Sequence, residues 1–269
     1  MESSPAMPLE ALIFDVDGTL AETEEVHRQA FNETFASHGL DWTWSAELYR
    51  ELLRITGGRE RIRHYVERWS PRGGDAALAR LAEMHAEKSN RYASLVTARG
   101  GDPRPGIRRL IRDAHDQGLR LAIATTTSAG NVKPLLRAFL GEGAASWFGV
   151  IAAGDIVPSK KPAPDIYLHA LQELGVAASC CVAFEDSENG VRAASQAGLV
   201  VVATPSLYSS ADDFSAAASL LSDLGEPDRP HRHIAGWRFS KGHVDLDGLR
   251  ALLQHERATR ERLRESIAL

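Results

Sequence analysis

The stretch ALIFDVDGTLAETEE, residues 11–25, sets two carboxylates, Asp15 and Asp17, directly behind a wholly apolar run and follows them with a glycine and a threonine. A run without polar alternation suits a parallel strand covered on both faces. Two like charges at the tip of such a strand repel one another, so the site must either compensate them or give them different tasks.

Four further runs have the same character: LRLAIAT (119–125), FGVIAA (148–153), CVAF (181–184) and LVVVAT (199–204). Helical patterns lie between them. GIRRLIRDAHDQG repeats Ile107, Leu110, Ile111 and Ala114 before Gly118, and PDIYLHALQELG repeats Ile166, Leu168, Leu171 and Leu174 before Gly175. The alternation predicts an α/β fold, a doubly wound (Rossmann-like) parallel sheet. From Glu22 to Ala98 no strand pattern occurs. Four helices are expected there, over Thr23–His38, Ser45–Ile55, Arg59–Trp69 and Asp75–Leu95, with breaks at Gly39, Gly57 and Gly73-Gly74. Residues 22–98 therefore read as an all-helical cap inserted into a core formed by 1–21 and 99–269. The linker Arg99–Gly106 carries the chain back. Near the C-terminus, GEPDRPHRHIAGWRF is expected to be turn-rich and VDLDGLRALLQ to form one short helix. ERATRERLRES is expected to be a solvated helix or frayed tail.

With 269 residues and an apolar fraction of 43%, the chain can bury a substantial core. Its net charge of −5, with acids and bases interspersed, argues against nucleic acid as a partner. No run approaches the roughly 20 apolar residues of a membrane span, and MESSPAMPLE lacks the parts of a secretory signal, so a cytoplasmic protein with no membrane partner is expected. Cys180 and Cys181, adjacent in an apolar run, read as buried packing residues in a reducing compartment.

In open α/β sheets, reactive groups collect beyond the carboxyl ends of the strands. Behind the successive runs stand Asp15 and Asp17, then Thr125, Thr126, Thr127 and Ser128, then Lys160 and Lys161, then Glu185 and Asp186. Four crowded acids call for a cation, and an all-oxygen site with room for water suits Mg²⁺. With a lysine and hydroxyl donors nearby, such a site would receive a phosphoryl group. Asp15 can attack phosphorus without a partner base. Asp17 is then free to protonate the leaving alkoxide and later to deprotonate water.

The segments DVDGTLAE, AIATTTS, KKPAPDIY and FEDSENG together resemble the four motifs of the haloacid-dehalogenase-like hydrolase superfamily. The resemblance runs to about residue 225. The helical insert is similar to the C1-type cap of the phosphoglucomutase-like subfamily, and DVDGTLAETEEVHRQAFNETFASHGLDWTW with ITGGRERI resembles the CbbY-type proteins, phosphatases of xylulose bisphosphate. The likeness implies Asp15 as phosphorylated nucleophile, Asp17 as general acid/base, Thr125 as phosphate-binding hydroxyl and Lys161 as the charge-stabilising lysine. It implies Asp186 as a Mg²⁺ ligand beside the Asp15 carboxylate and the Asp17 backbone carbonyl, with Glu185 ligating or supporting.

In the insert, Gly57 and Gly58 expose backbone N–H groups ahead of a helix whose first turn carries Arg59 and Arg61, a second anion site for a bisphosphate. Glu24 could accept sugar hydroxyls and Lys88 could reach the site, as matching positions do in related caps. His27 is read as a packing or surface histidine, and Trp42, Trp44 and Trp69 as core. The expectation is a monomeric sugar-phosphate phosphatase. Two alternatives stay open, a phosphoglucomutase-like sugar phosphomutase with the same core residues and a receiver-like signalling domain.

Overall fold

The structure, a computed structural model, describes residues 8–99 and 103–267. Gly100, Gly101 and Asp102 of the expected linker lie outside the described residues, as do the first seven residues of the MESSPAMPLE stretch.

The elements run in the order β1 (Ala11–Phe14), α1 (Glu24–Ser37), α2 (Ala46–Leu52), α3 (Gly58–Trp69), α4 (Gly74–Ala79), α5 (Leu81–Arg99), α6 (Ile107–Asp116), β2 (Arg120–Thr125), α7 (Ala129–Leu140), β3 (Phe148–Ala153), α8 (Asp165–Leu174), β4 (Cys181–Glu185), α9 (Glu188–Gln196), β5 (Val200–Ala203), β6 (Ser219–Leu221), β7 (His233–Gly236) and α10 (Leu246–Ile267). Among the described residues the strands form one sheet in the order β3-β2-β1-β4-β5-β6-β7. All pairings are parallel except that of β6 with β7. The strand that carries Asp15 is thus flanked by the strands leading to Thr125 and Glu185, and the three tips share one edge.

Period-two alternation divides the sheet between two apolar layers. Leu12, Phe14, Leu121, Ile123, Val182 and Phe184 pack with α6, α7 and α10. Ala11, Ile13, Ala122, Ala124, Cys181 and Ala183 pack with α8 and α9. Phe14 and Phe184 stack across β1 and β4 at 4.6 Å, a contact worth about 0.5–1.5 kcal/mol beyond area burial. The five helices between β1 and α6 hold an aromatic cluster of their own, built on Phe31, Phe35, Trp42, Trp44 and Tyr49, with Tyr208 joining it from the loop after β5. Trp42 and Trp44 are buried there as expected, whereas Trp69, also expected in the core, is exposed at the end of α3. Both cysteines are buried and free.

Three expectations need correction. The single helix over Asp75–Leu95 is two, α4 and α5, because the backbone leaves helical angles at Arg80 (φ −112°, ψ 17°). Arg80 then bonds Glu83 in the first turn of α5 (2.8 Å). The turn-rich stretch before Phe239 contains β7, which closes the sheet edge against the three-residue β6. The short C-terminal helix and its tail are one helix of 22 residues. Leu246, Leu249, Leu252 and Leu253 anchor its first half, and Arg257, bonded to the Ser179 carbonyl (2.6 Å), pins its middle. Arg, Glu and Leu, all good helix formers, carry it onward. Among the described residues no helix is long and apolar enough to cross a membrane.

Candidate active site

Asp15 follows β1 directly, its N–H donating to the Phe184 carbonyl (3.1 Å). The chain then turns sharply: Gly18 adopts φ +82°, and its N–H donates to the Ala21 carbonyl (2.9 Å). A Cβ at Gly18 would lie 2.1 Å from Oδ2 of Asp186, so glycine is required both by the backbone and by the neighbouring acid.

Lys161 joins the strand tips. Its Nζ donates to Oδ1 of Asp15 (2.6 Å), Oε1 of Glu185 (2.6 Å) and the Ala124 carbonyl (2.9 Å). The Tyr167 hydroxyl, from α8, also donates to Glu185, whose other oxygen accepts from the Asp186 N–H (3.2 Å). Glu185 is thereby spent on protein donors. One carboxylate oxygen each from Asp15, Glu185 and Asp186 lies within 4.8 Å of the others.

The electrostatics of this trio bear on a cation. Burial, against the pull of Lys161, pushes Asp15 up to about 7. Burial, with the charges of Asp15 and Glu185, lifts Asp186 well above the ordinary carboxylate range. Lys161 is held charged by Asp15 and Glu185 in spite of its own burial. The acids outnumber the lysine in a dry site, and the donor set is all oxygen, so these residues fit a divalent cation.

Asp17 stands apart from that trio. Its carboxylate accepts from Thr23 (2.6 Å), Tyr92 (3.0 Å) and Thr127, and pairs with Nε2 of His27 (3.0 Å). Burial works to raise Asp17, but His27 and the hydroxyl donors outweigh it and hold the group below its ordinary value. His27 touches Lys88 through its other ring nitrogen and stacks on Tyr92 at 3.8 Å. The histidine assigned to packing therefore bridges Asp17 and Lys88. Thr23 and His27, four residues apart on one helix face, were a legible signal; Tyr92, 75 residues from Asp17, offered none.

A cavity of about 760 Å³ opens above these groups. Asp15, Asp17, Thr125, Thr126, Thr127, Ser128, Lys161 and Asp186 line its sheet side, and Glu24, Gly57, Gly58, Arg61 and Lys88 line its helical side. Ser128 stands at the N-cap position of α7 without a side-chain capping bond, so the hydroxyl cluster also begins a helix. Arg61 donates to the Leu52 carbonyl and the Tyr49 hydroxyl (both 3.1 Å), and that hydroxyl donates to Glu24 (2.8 Å). Burial, then the charge of Arg61, pushes Lys88 down to about 7. Arg59 departs from expectation, since it does not line the cavity itself but pairs with Asp155, a lining residue that also holds the lining Lys160 (2.8 Å). The sequence reading also missed Arg50, His85 and Asn189, which line the cavity from distant positions.

Comparisons with known proteins agree with this geometry. The chain is 55% identical over 218 residues, 81% of its length and 95% of the relative's, to Protein CbbY of Rhodobacter capsulatus. It superposes with a TM-score of 0.77 and 50% identity on the crystal structure of CbbY from Rhodobacter sphaeroides in complex with phosphate, covering 81% of this chain and 96% of that one. A variant of the same CbbY in complex with xylulose-(1,5)bisphosphate gives 0.76 at 48% identity and the same coverage. Residues 9–198 match the sequence profile of the haloacid dehalogenase-like hydrolases, and with relatives this similar the chain belongs to that family.

Proposed function

We propose that the protein is a Mg²⁺-dependent phosphatase of xylulose-1,5-bisphosphate or a similar pentulose bisphosphate, working through an aspartyl phosphate on Asp15. Hydrolysis of a sugar phosphate follows from the family and from the CbbY relatives, one of which binds xylulose bisphosphate. The observation that carries the residue assignment is Asp15 itself, 2.6 Å from Lys161 and beside Asp186 at the floor of a cavity lined above by Arg61 and Lys88.

Asp15, Asp186 and the Asp17 backbone carbonyl would hold Mg²⁺, with Glu185 supporting through Lys161. When bound, the ion supplies positive charge shared between the carboxylates and the phosphoryl oxygens. An Asp15 oxygen attacks phosphorus while the ester oxygen leaves, taking its proton from Asp17. Water, giving a proton to Asp17, then attacks the acyl phosphate, releasing phosphate and restoring the Asp15 carboxylate. Lys161, Thr125 and the hydroxyls of Thr126 and Ser128 bind the transferred group's oxygens, while Thr127 keeps its hydroxyl proton on Asp17. The bonds from His27, Thr23, Tyr92 and Thr127 suit the ionised Asp17 that activates water.

Residues 22–98 act as a cap over a core of 1–21 and 99–269. Glu24, Gly57, Gly58, Arg61 and Lys88 meet the sugar and its remote phosphate, and closure excludes water from the chemistry. Arg59 steadies this face through Asp155. One chain holds every residue assigned here, so the monomer is the working unit. A phosphate-release screen over sugar mono- and bisphosphates with Mg²⁺ tests the reading. Release of phosphate from xylulose-1,5-bisphosphate, lost in Asp15→Asn, supports it; an isomerised sugar phosphate in place of free phosphate overturns it in favour of a phosphomutase.

A further inference from the structure

We propose that the loop Thr204–Ser209, behind β5, is a strut that ties the seating of α1 and α2 to Asp186, with Tyr208 as its positioning residue. Its kinetic consequence rests on the phosphatase reading above.

The loop is bound at both ends and in the middle. At its root the Thr204 N–H donates to the Glu185 carbonyl (2.8 Å). The buried Arg104 guanidinium donates to the carbonyls of Thr204 (2.7 Å) and Pro205 (2.8 Å) and also to the carbonyl of Gly18 in the catalytic turn. At its far end Ser209 donates its hydroxyl to the Asp186 carbonyl and receives the Ser206 N–H (2.9 Å). The root and far end therefore belong to the layer that carries Asp15 and Asp186.

Its tip belongs to the helices. The Leu207 N–H donates to Glu22 (3.2 Å), and the Tyr208 hydroxyl donates to Glu25. The Tyr208 ring meets Tyr49 edge-on at 5.5 Å and lies under the Arg50 guanidinium at 5.5 Å. Tyr208 is 8% exposed while its aliphatic neighbour Leu207 is 71% exposed, so the loop buries its tyrosine in the helical cluster and leaves its leucine in water. Tyr49 in turn holds Glu24 and Arg61, the groups assigned to the sugar.

A continuous set of packed and bonded groups thus runs from the sugar-facing side of α2 to the backbone of Asp186. Close-packed contacts transmit small displacements instead of absorbing them. A substrate long enough to engage Glu24 and Arg61 seats α2 against Tyr208 and so fixes Ser209 on Asp186. A small ester that reaches only Asp15 leaves the strut unloaded.

The test compares Tyr208→Phe, which keeps the ring, with Tyr208→Ala, which removes it; Tyr208→Leu serves if the alanine variant does not fold. With xylulose-1,5-bisphosphate, kcat/KM should fall by about 30-fold in Tyr208→Ala and under about threefold in Tyr208→Phe, with the loss on p-nitrophenyl phosphate about tenfold smaller. Equal losses on both substrates, or no loss, would overturn the proposal. Amide hydrogen exchange of the Mg²⁺-loaded protein reads the strut without turnover: in Tyr208→Ala, exchange should quicken in α2 and at Ser187–Gly190 together. Quickening confined to 206–209 refutes the strut whatever the activity, whereas a wild type inert toward every phosphate ester with the paired exchange effect intact would sink only the phosphatase reading.

Discussion

Nε2 of His27 lies 3.0 Å from Oδ1 of Asp17, and the other face of that imidazole's bonding is taken by Lys88. Asp17, the proposed acid/base, is therefore coupled to the helical layer through one ring. His27→Gln should lower kcat for a sugar phosphate by about 10²-fold, within the range of general acid–base contributions, while KM changes less. Steady-state kinetics check it; a loss confined to KM would make His27 a substrate contact only.

In the proposed reaction Asp15 is the nucleophile, and Asp15→Asn retains the shape while removing the charge. Turnover should fall by at least about 10³-fold, and wild-type enzyme quenched in acid during turnover should hold an acid-stable, base-labile phosphoryl group absent from the variant. A variant that retains turnover would move the nucleophile elsewhere.

Gly18→Ala is the sharpest backbone probe. The φ of +82° and the 2.1 Å approach to Asp186 combine in one residue. The strain alone should cost about 1–3 kcal/mol, and displacement of Asp186 should weaken Mg²⁺ binding. Denaturant unfolding reads the first effect and titration calorimetry with Mg²⁺ the second.

Lys88 has its charge in question near neutrality, since burial and Arg61 push it down to about 7. Below that pH it is a cation that attracts a phosphate, and above it a neutral amine. For a sugar bisphosphate, Lys88 should add a falling limb to kcat/KM as pH rises through about 7, set against the rising limb from ionisation of Asp15 in the same range, because that ratio reports free-enzyme groups. Lys88→Arg, which stays charged, should remove this limb; a limb unmoved in Lys88→Arg belongs to another group.

The two arginines of the α3 first turn should separate. Arg61 is 9% exposed, lines the cavity and rests on Tyr49, whereas Arg59 does not line it and has its charge taken up by Asp155 of the cavity wall. Arg61→Ala should raise KM for a bisphosphate by about tenfold or more, and Arg59→Ala by under about threefold, in line with the small worth of exposed ion pairs. Equal effects from both would restore Arg59 as an anion contact.

The sheet was legible because each of its main strands is a covered apolar run, and burial on both faces leaves a mark in every residue of the run. The acids, hydroxyls and lysine were legible because each follows such a run, and a parallel sheet sends all those ends to one edge. Local patterns could not place β6 and β7, the first only three residues long and the second mostly exposed, paired only with each other and β5. They also gave no reason for the break at Arg80, where helix-forming residues continue on both sides. The convergence of Tyr92 on Asp17, the turn of Arg59 toward Asp155 and the insertion of Tyr208 between layers were decided by packing alone. A repeat of apolar residues states which face is buried, but the distance between side chains 50 to 180 positions apart depends on how whole layers settle against each other.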